Sequence, residues 1–310
     1  MVYKLEEINA RINKCKSDFV RECESSYKEK LESTADAIVE NLSVTPVVLL
    51  SGPSGSGKTT TSLKLCELLA SRGIIARTVS FDNYFKPIDD SYPRTESGDL
   101  DFESPDCLDF ELLNEHYMCL KNRQPIQVPR YDFTTGKRSK TKFDEVSIGR
   151  NEVIIFEGIH ALNDRIAGVH PEAFCIFVDV LAEIDCGENG VFENDWVRLM
   201  RRVIRDKKFR GADAEYTLFL WQNVIEGEKK NITPFRDKAK VEIDTFIPYE
   251  INVLKSYIVP LFERIPDSSI LDEERREILK LLGYAQEIHS RNVPKDSLIR
   301  EFIGGGIYSY

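Results

Sequence analysis

The stretch Ser51–Thr60 reads SGPSGSGKTT, and the interpretation of the rest of the chain starts from it. Within it, Gly52–Thr59 matches the pattern GxxxxGK[ST] at every fixed position. An apolar segment, Val47–Ser51, precedes this pattern, and helical periodicity over 60–72 follows it. Glycines at a strand-to-helix turn let backbone N–H groups face phosphate oxygens, and the helix adds the positive end of its dipole. The sequence therefore predicts a nucleotide-phosphate site rather than an ordinary glycine turn.

Each residue type in this loop has an expected role. The residues predicted to bind ATP are Gly52, Ser54, Gly55, Ser56, Gly57, Lys58, Thr59 and Thr60. Lys58 is expected to reach the β- and γ-phosphates and to act in catalysis, and Thr59 to offer its hydroxyl to Mg²⁺. ATP is therefore the predicted phosphate donor and Mg²⁺ the predicted cofactor.

Strand and helix patterns alternate around the loop. Ala76–Ser80, Glu152–Phe156 and Phe174–Val180 predict strands, and the last two are apolar runs typical of a parallel sheet covered on both faces. Val241–Ile247 is a weaker fifth candidate. The predicted fold is an α/β P-loop NTPase with a doubly wound parallel sheet, a rim insertion, an arginine lid and added N- and C-terminal helices. Ligands of such sheets bind beyond the carboxyl ends of the strands.

The chain divides into three predicted parts. Residues 1–43 form a helical segment, which either packs on the body of the same chain or mediates a homo-oligomer. Residues 44–250 form the P-loop domain, with an acceptor-site insertion at 86–149 and a lid region at 195–240. Residues 251–310 form a helical tail. Helices are expected around 110–121, 249–264 and 272–286, and the glycine run 304–306 is a loop without an assigned role.

Two acidic residues follow predicted strands of the sheet. Asp82 lies two residues past Ala76–Ser80, and Glu157 comes directly after Glu152–Phe156. Because parallel strands end at one edge of a sheet, both carboxylates are expected beside the phosphate loop. We predict that Asp82 is the general base and a metal contact, and that Glu157 is a metal-side carboxylate. The alternative is a pair of solvated carboxylates at strand ends.

An arginine-rich segment follows the last strong strand. Arg198, Arg201, Arg202 and Arg205 fall on one side of a predicted helix over 195–209, and Arg210 follows. We interpret these positive charges as lacking compensating acids, which favours an anion between them. Forked guanidinium groups suit the oxygens of a transferring phosphoryl group, so the segment is predicted to be a triphosphate lid. A solvated helix face and RNA binding are the alternatives.

The composition excludes several classes of protein. The net charge of −10 over 310 residues argues against a nucleic-acid binder. The seven cysteines are scattered without a CxxC pair, which argues against a zinc site or a disulfide framework and indicates a reducing cytoplasm. No apolar run approaches the roughly 20 residues of a membrane span, and the charged start shows no signal peptide. ATP and a small nucleoside-like acceptor are the expected partners.

With these motifs in place, the sequence resembles the uridine kinase and phosphoribulokinase superfamily of P-loop kinases. The resemblance covers Pro46 to about Ile247 and is similar in order and spacing to uridine–cytidine kinases, especially bacterial uridine kinase-like nucleoside kinases. It rests on SGPSGSGKTT at 51–60, FDNYF at 81–85, DFESPDCLDFELL at 101–113, VPRYDFTTGKR at 128–138, VIIFEGIH at 153–160 and RRVIRDKKFRG at 201–211. The segment REFIGG at 300–305 is also found in that bacterial branch.

The resemblance implies further roles. Asp82 would activate the ribose 5′-hydroxyl, and Arg205 and Arg210 would act in catalysis on the phosphate-closing lid. The implied acceptor-site residues are Tyr84, Phe85, Phe102, Glu103, Tyr131, Phe133 and Arg202. Among these, Glu103 stands where the family has an aspartate that grips the ribose hydroxyls. Tyr131 and Phe133 match aromatic residues that wall the nucleobase site, although core packing is the alternative for both.

Some positions depart from the family pattern. Gly136 takes the place of a histidine that contacts the pyrimidine, Ala212 replaces an arginine, and Phe85 stands for a tyrosine. His160 is either a substitute polar contact or a structural residue. The predicted function is transfer of the γ-phosphoryl of ATP to the 5′-hydroxyl of a nucleoside, with uridine or cytidine as the leading acceptor. Another alcohol or sugar phosphate, and a non-catalytic nucleotide-dependent regulator, are the alternatives.

Overall fold

The computed structural model describes residues 1–95, 98–133, 135–267 and 272–309. Within them the helices are α1 (Leu5–Asn41), α2 (Lys58–Ser71), α3 (Phe110–Lys121), α4 (Asn194–Phe209), α5 (Ala214–Asn231), α6 (Glu250–Phe262), α7 (Asp272–Tyr284) and α8 (Arg300–Ile303). The strands are β1 (Val2–Lys4), β2 (Val47–Ser51), β3 (Ile75–Ser80), β4 (Ile126–Asp132), β5 (Lys137–Val146), β6 (Glu152–Glu157), β7 (Phe174–Asp179), β8 (Glu183–Asp185), β9 (Val191–Phe192) and β10 (Val241–Asp244).

A five-stranded parallel sheet forms the centre of the molecule, in the order β10-β7-β2-β6-β3. The α/β prediction is therefore confirmed. Successive side chains of a strand point to opposite faces. Val48 and Leu50 of β2 accordingly join one hydrophobic cluster, and Val47 and Leu49 join another on the other face. The weaker strand candidate is part of the sheet, although β10 ends at Asp244.

The carboxyl ends of the central strands define one edge of this sheet. β2 ends at Ser51, β3 at Ser80, β6 at Glu157 and β7 at Asp179. The parallel pairing brings these ends together, since Ser80 pairs with Glu157 and Leu50 pairs with both Glu157 and Ile176. The phosphate loop and the two predicted acids therefore leave the sheet side by side.

The N-terminal segment packs on the body of its own chain, which is the first of its two predicted arrangements. α1 buries Leu31, Ala35 and Ile38 in the same hydrophobic cluster as the central sheet. Cys15 interrupts it with non-helical angles (φ −161°, ψ 95°), so α1 consists of two helices in series. Whether a homo-oligomer also forms stays untested.

The insertion and the tail have the predicted helices. Between residues 86 and 149, α3 is followed by the antiparallel hairpin β4–β5. The tail supplies α6 and α7, and its apolar side chains join the cluster that contains α1. The division at residues 43/44 and 250/251 stays a prediction, and residues 268–271 and 310 of the predicted tail lie outside the described residues. In the described part of the chain, no helix combines the length and apolarity needed to cross a bilayer.

Candidate active site

The phosphate loop passes closely over the sheet edge and leads into α2. A Cβ at Gly52 would lie 2.0 Å from the carbonyl oxygen of Val178, so the loop can only pass here as glycine. Gly57, just before α2, has φ +86°, which other residues rarely adopt. α2 begins at Lys58, two residues earlier than predicted. Its first turn therefore includes Lys58, Thr59 and Thr60.

A cleft of about 760 Å³ opens above this loop. It brings together most of the predicted site residues: Ser54, Gly55, Gly57, Lys58, Thr59, Asp82, Phe85, Phe102, Glu103, Phe133, Glu157, Arg202, Arg205 and Arg210. Segments that are far apart in the sequence thus meet in one space: the loop, two strand ends, the insertion and the arginine helix. Gly52 and Ser56 of the loop and Thr60 in the first turn of α2 are buried beneath the floor of the cleft.

Two predicted acceptor residues do not line the cleft. Tyr84 is fully buried, and its hydroxyl lies 2.8 Å from Nδ1 of His116 in the core. The assignment of Tyr84 to substrate binding is therefore wrong: the 3₁₀ turn Phe81–Tyr84 directs its ring inward, whereas Phe85, the next residue, contacts the cleft. Tyr131 lies behind Phe133, with ring centroids 4.9 Å apart, and supports that wall rather than forming it.

Lys58, Asp82 and Glu157 form a coupled group of charges on one wall of the cleft. Nζ of Lys58 donates to the carbonyl oxygen of Pro53 at 3.0 Å. Burial lowers the pKa of Lys58, although Glu157 and Asp82 act in the opposite direction. Burial raises the pKa of Asp82 against the opposing charge of Lys58. Burial, and then the charge of Asp82, raise the pKa of Glu157 to about 7.

Three arginines, which we call the cleft arginines, face this group from the C-terminal part of α4 and the residue after it. They are Arg202, Arg205 and Arg210. Asp206 is shared among them: its carboxylate lies 2.9 Å from Arg205, 3.5 Å from Arg202 and 3.6 Å from Arg210. Nη1 of Arg202 also donates to Oγ of Ser54 at 2.9 Å, which ties the lid helix to the phosphate loop.

The other two arginines, which we call the buried arginine pair, do not enter the cleft. Arg198 bonds Glu228 at 2.9 Å, and Glu228 and Asp179 raise its pKa in spite of the burial that lowers it. Arg201 is fully buried and bonds both carboxylate oxygens of Glu250, at 2.8 and 2.9 Å. The prediction that the arginine stripe lacks compensating acids is therefore wrong. Glu228 of α5 and Glu250 of α6 come from other helices, which a reading of α4 alone does not reveal. Asp195, which also bonds Arg198, lies on α4 itself.

This pair holds the phosphate loop from its carbonyl side. Arg198 donates to the carbonyl oxygen of Ser54 at 3.2 Å, and Arg201 to that of Gly55 at 3.1 Å. The hydroxyl of Thr245 donates to the carbonyl oxygen of Ser56 at 2.7 Å. Three successive carbonyl groups are thus held behind the loop. The N–H groups of Ser54 and Ser56 are bonded as well, to Glu228 and to the carbonyl oxygen of Pro53, so these contacts fix the backbone of the loop.

The acceptor side of the cleft combines one acid with aromatic walls. Glu103 is half-buried, with a side chain that is 14% exposed, and burial raises its pKa to about 7, while Arg202 lies 3.9 Å from its carboxylate. Phe85, Phe102 and Phe133 surround the opening, and the rings of Phe102 and Phe133 are 40% and 58% exposed. Phe85 contacts both, with ring centroids 6.4 and 5.5 Å apart. The cleft therefore offers flat apolar surfaces next to a carboxyl group.

A comparison with known proteins bears on this arrangement. The model of the Phosphoribulokinase / Uridine kinase family matches residues 47–250. The chain belongs to this family. A uridine kinase of Latilactobacillus sakei subsp. sakei is 32% identical over 205 residues, covering 66% of this chain and 85% of the relative. One of Halobacterium salinarum is 27% identical over 203 residues, covering 66% and 80%. Uridine-cytidine kinase-like 1 of Mus musculus is 34% identical over 190 residues, covering 61% of this chain and 30% of the relative.

Membership of the family makes the chain a kinase that uses a nucleotide and a small-molecule acceptor. The matched range contains the loop, both acids and all the cleft arginines. α1 and the segment after residue 250 lie outside it. The residues of these outer segments that touch the loop are therefore additions to the family domain.

Gly136 has a conformation that explains its departure from the family pattern. Its φ is +64°, and a Cβ there would lie 2.7 Å from Cδ1 of Ile88. Gly136 also accepts a hydrogen bond from the backbone N–H of Ile88 at 2.9 Å. A histidine at this position would need both another backbone conformation and a displaced Ile88. The backbone conformation and Ile88 therefore account for glycine at residue 136.

His160 lies in the buried interior of the protein. It is 1% exposed, and burial lowers its pKa to about 4, so the ring is neutral at neutral pH. It does not line the cleft. Of its two predicted roles, the structural one fits this position.

Several residues that shape the site were missed by the sequence analysis. Glu228 accepts from the backbone N–H of Ser54 at 3.1 Å, and Glu250 and Thr245 act through the contacts described above. Glu301 lines the cleft and accepts hydrogen bonds from Thr60. The segment REFIGG, noted at 300–305 without a role, was the one signal for Glu301; the other residues have no motif of their own.

The donors in the cleft suit a hydrated divalent cation. Among residues 1–95, 98–133, 135–267 and 272–309, no three His, Cys, Asp or Glu side chains converge as a metal cage. The cleft instead offers the carboxylates of Asp82 and Glu157 and the hydroxyl of Thr59. Mg²⁺ in nucleotide sites is held by one or two carboxylates together with phosphates and waters. Such an ion would also relieve the repulsion that Asp82 exerts on Glu157.

Proposed function

We propose that this family member transfers the γ-phosphoryl of ATP to the 5′-hydroxyl of a nucleoside, with uridine or cytidine as the first candidates. One observation carries the proposal: Lys58, Asp82 and Arg205 line a single cleft together with an aromatic acceptor wall. A phosphate-binding lysine, a general base and a cation that can stabilise the transition state are therefore close enough to act in one reaction. The names of the uridine kinase relatives support the choice of acceptor.

On the donor side, the loop N–H groups and Lys58 hold the phosphates. The loop is held from its carbonyl side before any ligand arrives, so its backbone conformation is set in advance. Arg205 and Arg210 place positive charge where the equatorial oxygens of the transferring group gather negative charge. Asp206 keeps these guanidinium groups in position. The protein's contribution is thus positioning and charge stabilisation.

Asp82 is the group that accepts the proton of the attacking hydroxyl. Because burial raises its pKa, Asp82 is a stronger base than an exposed aspartate, while Lys58, Arg210 and Arg205 keep it ionised for that role. The hydroxyl oxygen forms the new bond to the γ-phosphorus, the bond from that phosphorus to the β–γ bridging oxygen breaks, and ADP leaves. The proton passes from the hydroxyl to a carboxylate oxygen of Asp82.

Magnesium would be held by Thr59, Asp82 and Glu157. When bound, it would supply charge neutralisation for the β- and γ-phosphates. The raised pKa of Glu157 means that this carboxyl is ready to lose its proton near neutral pH when a cation approaches.

On the acceptor side, Glu103 and the aromatic walls fit a hydroxylated molecule with a flat face. The carboxyl of Glu103 can accept from ribose hydroxyls, and Phe102 and Phe133 can stack on a base. A second candidate function is phosphorylation of a different nucleoside or another small alcohol. Gly136 and Ile88 favour it, since they leave no polar side chain at residue 136 to read a pyrimidine edge.

A panel of acceptors tests the proposal. ADP release from Mg-ATP would be measured with uridine, cytidine, purine nucleosides, and simple alcohols and sugar phosphates. Uridine or cytidine is expected to raise the rate at least tenfold above the basal ATPase rate. A response to a different acceptor alone would establish the second candidate. If no acceptor raises ADP release above the basal rate, the kinase proposal is wrong and a nucleotide-dependent regulatory role takes its place.

The variant Asp82→Asn separates catalysis from nucleotide binding. It is expected to lower kcat by at least 10²-fold, the usual contribution of a general base, while leaving the Kd for ATP nearly unchanged. Equal loss of kcat and ATP affinity would show that Asp82 acts mainly through the metal or through folding. Lys58→Ala is the comparison variant and should weaken both binding and rate.

A further inference from the structure

The segment that follows α7 returns to the start of α2. Leu298 lies against Gly57, where an added Cβ would approach its Cδ1 to 2.7 Å. Phe302 is fully buried beneath Arg201, whose guanidinium carbon lies 5.1 Å from the ring centroid. α8 therefore packs between the phosphate loop and the arginine helix, outside the matched family domain.

Glu301 of α8 reaches from this position into the cleft. One carboxylate oxygen, Oε2, accepts from the backbone N–H of Thr60 at 3.0 Å and from its hydroxyl at 2.6 Å. The residue is 8% exposed, and it lines the same cleft as Lys58 and Asp82. Glu301 thus binds a donor of the first turn of α2, the turn that follows the GK[ST] motif.

This contact involves donors that the nucleotide needs. Backbone N–H groups at the start of a P-loop helix hold phosphate oxygens. A carboxylate on the Thr60 N–H occupies one of these donors with a negative group of its own. A nucleotide phosphate arriving there would find that donor already bonded and would meet a like charge, and like charges placed side by side repel.

We propose that Glu301 is an intramolecular competitor of the nucleotide: its carboxylate holds the Thr60 donors in the free enzyme and leaves them when a nucleotide phosphate binds. The inference rests on the proposed nucleotide binding at this loop. α8 and Glu301 then form a latch, and each nucleotide molecule that binds must open it. The latch weakens nucleotide affinity in the free enzyme and couples binding to movement of α8.

The position of α8 gives this movement a second consequence. Nζ of Lys208, on the lid helix α4, donates to the carbonyl oxygen of Ile303. The loop at Gly304 lies against Lys208 and Phe209, and Phe209 lines the cleft. Displacement of Glu301 therefore moves a segment that touches the helix carrying Arg205. Nucleotide arrival and lid position are linked through the same short segment.

Calorimetric titration with ADP tests the latch. Glu301→Gln keeps the shape of the side chain and removes its charge, so ADP should bind about tenfold more tightly than to the natural chain, because the like charge is gone. Tyr308→Phe is the matched control: it removes the hydrogen bond from the Tyr308 hydroxyl to Glu67 on α2, outside the cleft, and should leave the Kd unchanged. An unchanged or weaker Kd for Glu301→Gln would overturn the proposal.

Hydrogen exchange of the natural chain supplies a test that needs no variant. Saturating ADP should speed amide exchange in a peptide spanning 298–303, since α8 is released. Slower exchange there would overturn the latch and make Glu301 a brace of the bound state. If ADP binds neither the natural chain nor Glu301→Gln, the failure lies with the proposed function; if ADP binds both equally, only the latch fails.

Discussion

The buried arginine pair and the cleft arginines share one helix stripe but have different surroundings. Arg198 and Arg201 have side chains that are 4% and 0% exposed and are bound to acids of α5 and α6. Arg202 and Arg205 are one helical turn further on, are 14% and 17% exposed, and lie in the cleft. Position along the helix axis separates Arg198 from Arg202 and Arg201 from Arg205, which are one turn apart. The side of the helix separates the neighbours Arg201 and Arg202, which lie about 100° apart around the axis.

The function of a row of like charges on a helix therefore depends on the acids that other elements place beside it. An α-helix rises 1.5 Å per residue, so the stripe from Arg198 to Arg205 extends about 10 Å. That length is enough to pass from beneath the phosphate loop to the open cleft. Glu228 and Glu250 neutralise one end of the stripe. At the other end, three arginines share Asp206, and Glu103 lies 3.9 Å from Arg202, so the arginines there outnumber these acids.

The largest expected effect is on stability, at the buried pair. Arg201→Met leaves the carboxylate of Glu250 buried and unpaired, and such losses typically cost about 3–5 kcal/mol in the free energy of unfolding. Denaturant unfolding followed by Trp fluorescence measures it. The double variant with Glu250→Gln should recover part of the loss, and the exposed Arg21→Met should change the free energy by less than about 0.5 kcal/mol. Equal losses at Arg201 and Arg21 would show that the buried ion pair with Glu250 does not contribute specifically to stability.

The next effect is on rate, at the cleft arginines. Arg205→Gln should lower kcat by about 10³-fold, the lower end of what an arginine at a transferring phosphoryl group contributes. The free energy of unfolding should change by less than about 1 kcal/mol, because this arginine is part of a partly exposed ion-pair group. Steady-state kinetics and unfolding are measured on the same preparation. Lys207→Gln, on the same helix but outside the cleft, is the control, and a comparable loss of kcat there would contradict the assignment.

Replacement of a carboxyl by an amide should change the free energy of unfolding in opposite directions in the cleft, at Glu157, and beside the buried arginine pair, at Glu250. Glu157 has a pKa raised to about 7 by burial and by Asp82, so it is neutral in the folded protein at pH 5 and carries an unfavourable charge at pH 8.5. Because the unfolded carboxyl ionises near pH 4.5, the penalty begins there and grows up to the folded pKa. In metal-free buffer, Glu157→Gln should therefore raise stability by less than about 1 kcal/mol at pH 5 and by about 1–3 kcal/mol at pH 8.5.

Glu250→Gln gives the contrasting result. Arg201 bonds both oxygens of this carboxylate, so the substitution should lower the free energy of unfolding at pH 8.5. Thermal unfolding scans of both variants at pH 5 and pH 8.5 check the pair of predictions. A loss of stability in Glu157→Gln at pH 8.5 would mean that Glu157 is held by a favourable partner in the metal-free protein.

The smallest effect is expected at Arg202, which contacts both the loop and the acceptor side. Its guanidinium bonds Oγ of Ser54 and lies 3.9 Å from Glu103. Arg202→Lys keeps the charge but loses the fork, and a lost hydrogen bond of about 1 kcal/mol corresponds to roughly a fivefold rise in KM for the acceptor. KM for ATP should change less. An effect on ATP alone would place Arg202 with the donor side.

The part of the site that the sequence predicts is the part made of local features. Asp82 lies two residues past β3, and Glu157 is the last residue of β6. The carboxyl ends of parallel strands lie at one edge of the sheet, so the sequence positions alone predict that both acids lie at this edge. The loop glycines are likewise determined by their own backbone. Arg198 has one local partner, Asp195, three residues earlier. Its other partner Glu228, and Glu250 beside Arg201, lie 30 and 49 residues away on other helices, and no local pattern marks them.

Two further differences have the same origin. Tyr84 and Phe85 are neighbours in FDNYF, and only the direction of the turn sends one ring to the core and the other to the cleft. Glu301 is brought to Thr60 across 241 residues by the packing of α8. Sequence motifs therefore predict which chemistry is present, whereas long-range packing decides which residues carry it out.

The contacts of the first turn of α2 form at different times during synthesis, because its partners lie far before and far after it in the chain. Thr61 is bonded by Tyr27, which lies 34 residues earlier, and Thr60 by Glu301, which lies 241 residues later. During synthesis the central sheet can be assembled once β10 has emerged, but the latch on the phosphate site cannot close until α8 has emerged. If the latch operates as proposed, a chain whose α8 has not yet emerged lacks it, and nucleotide would bind the phosphate loop at that stage without competition from Glu301.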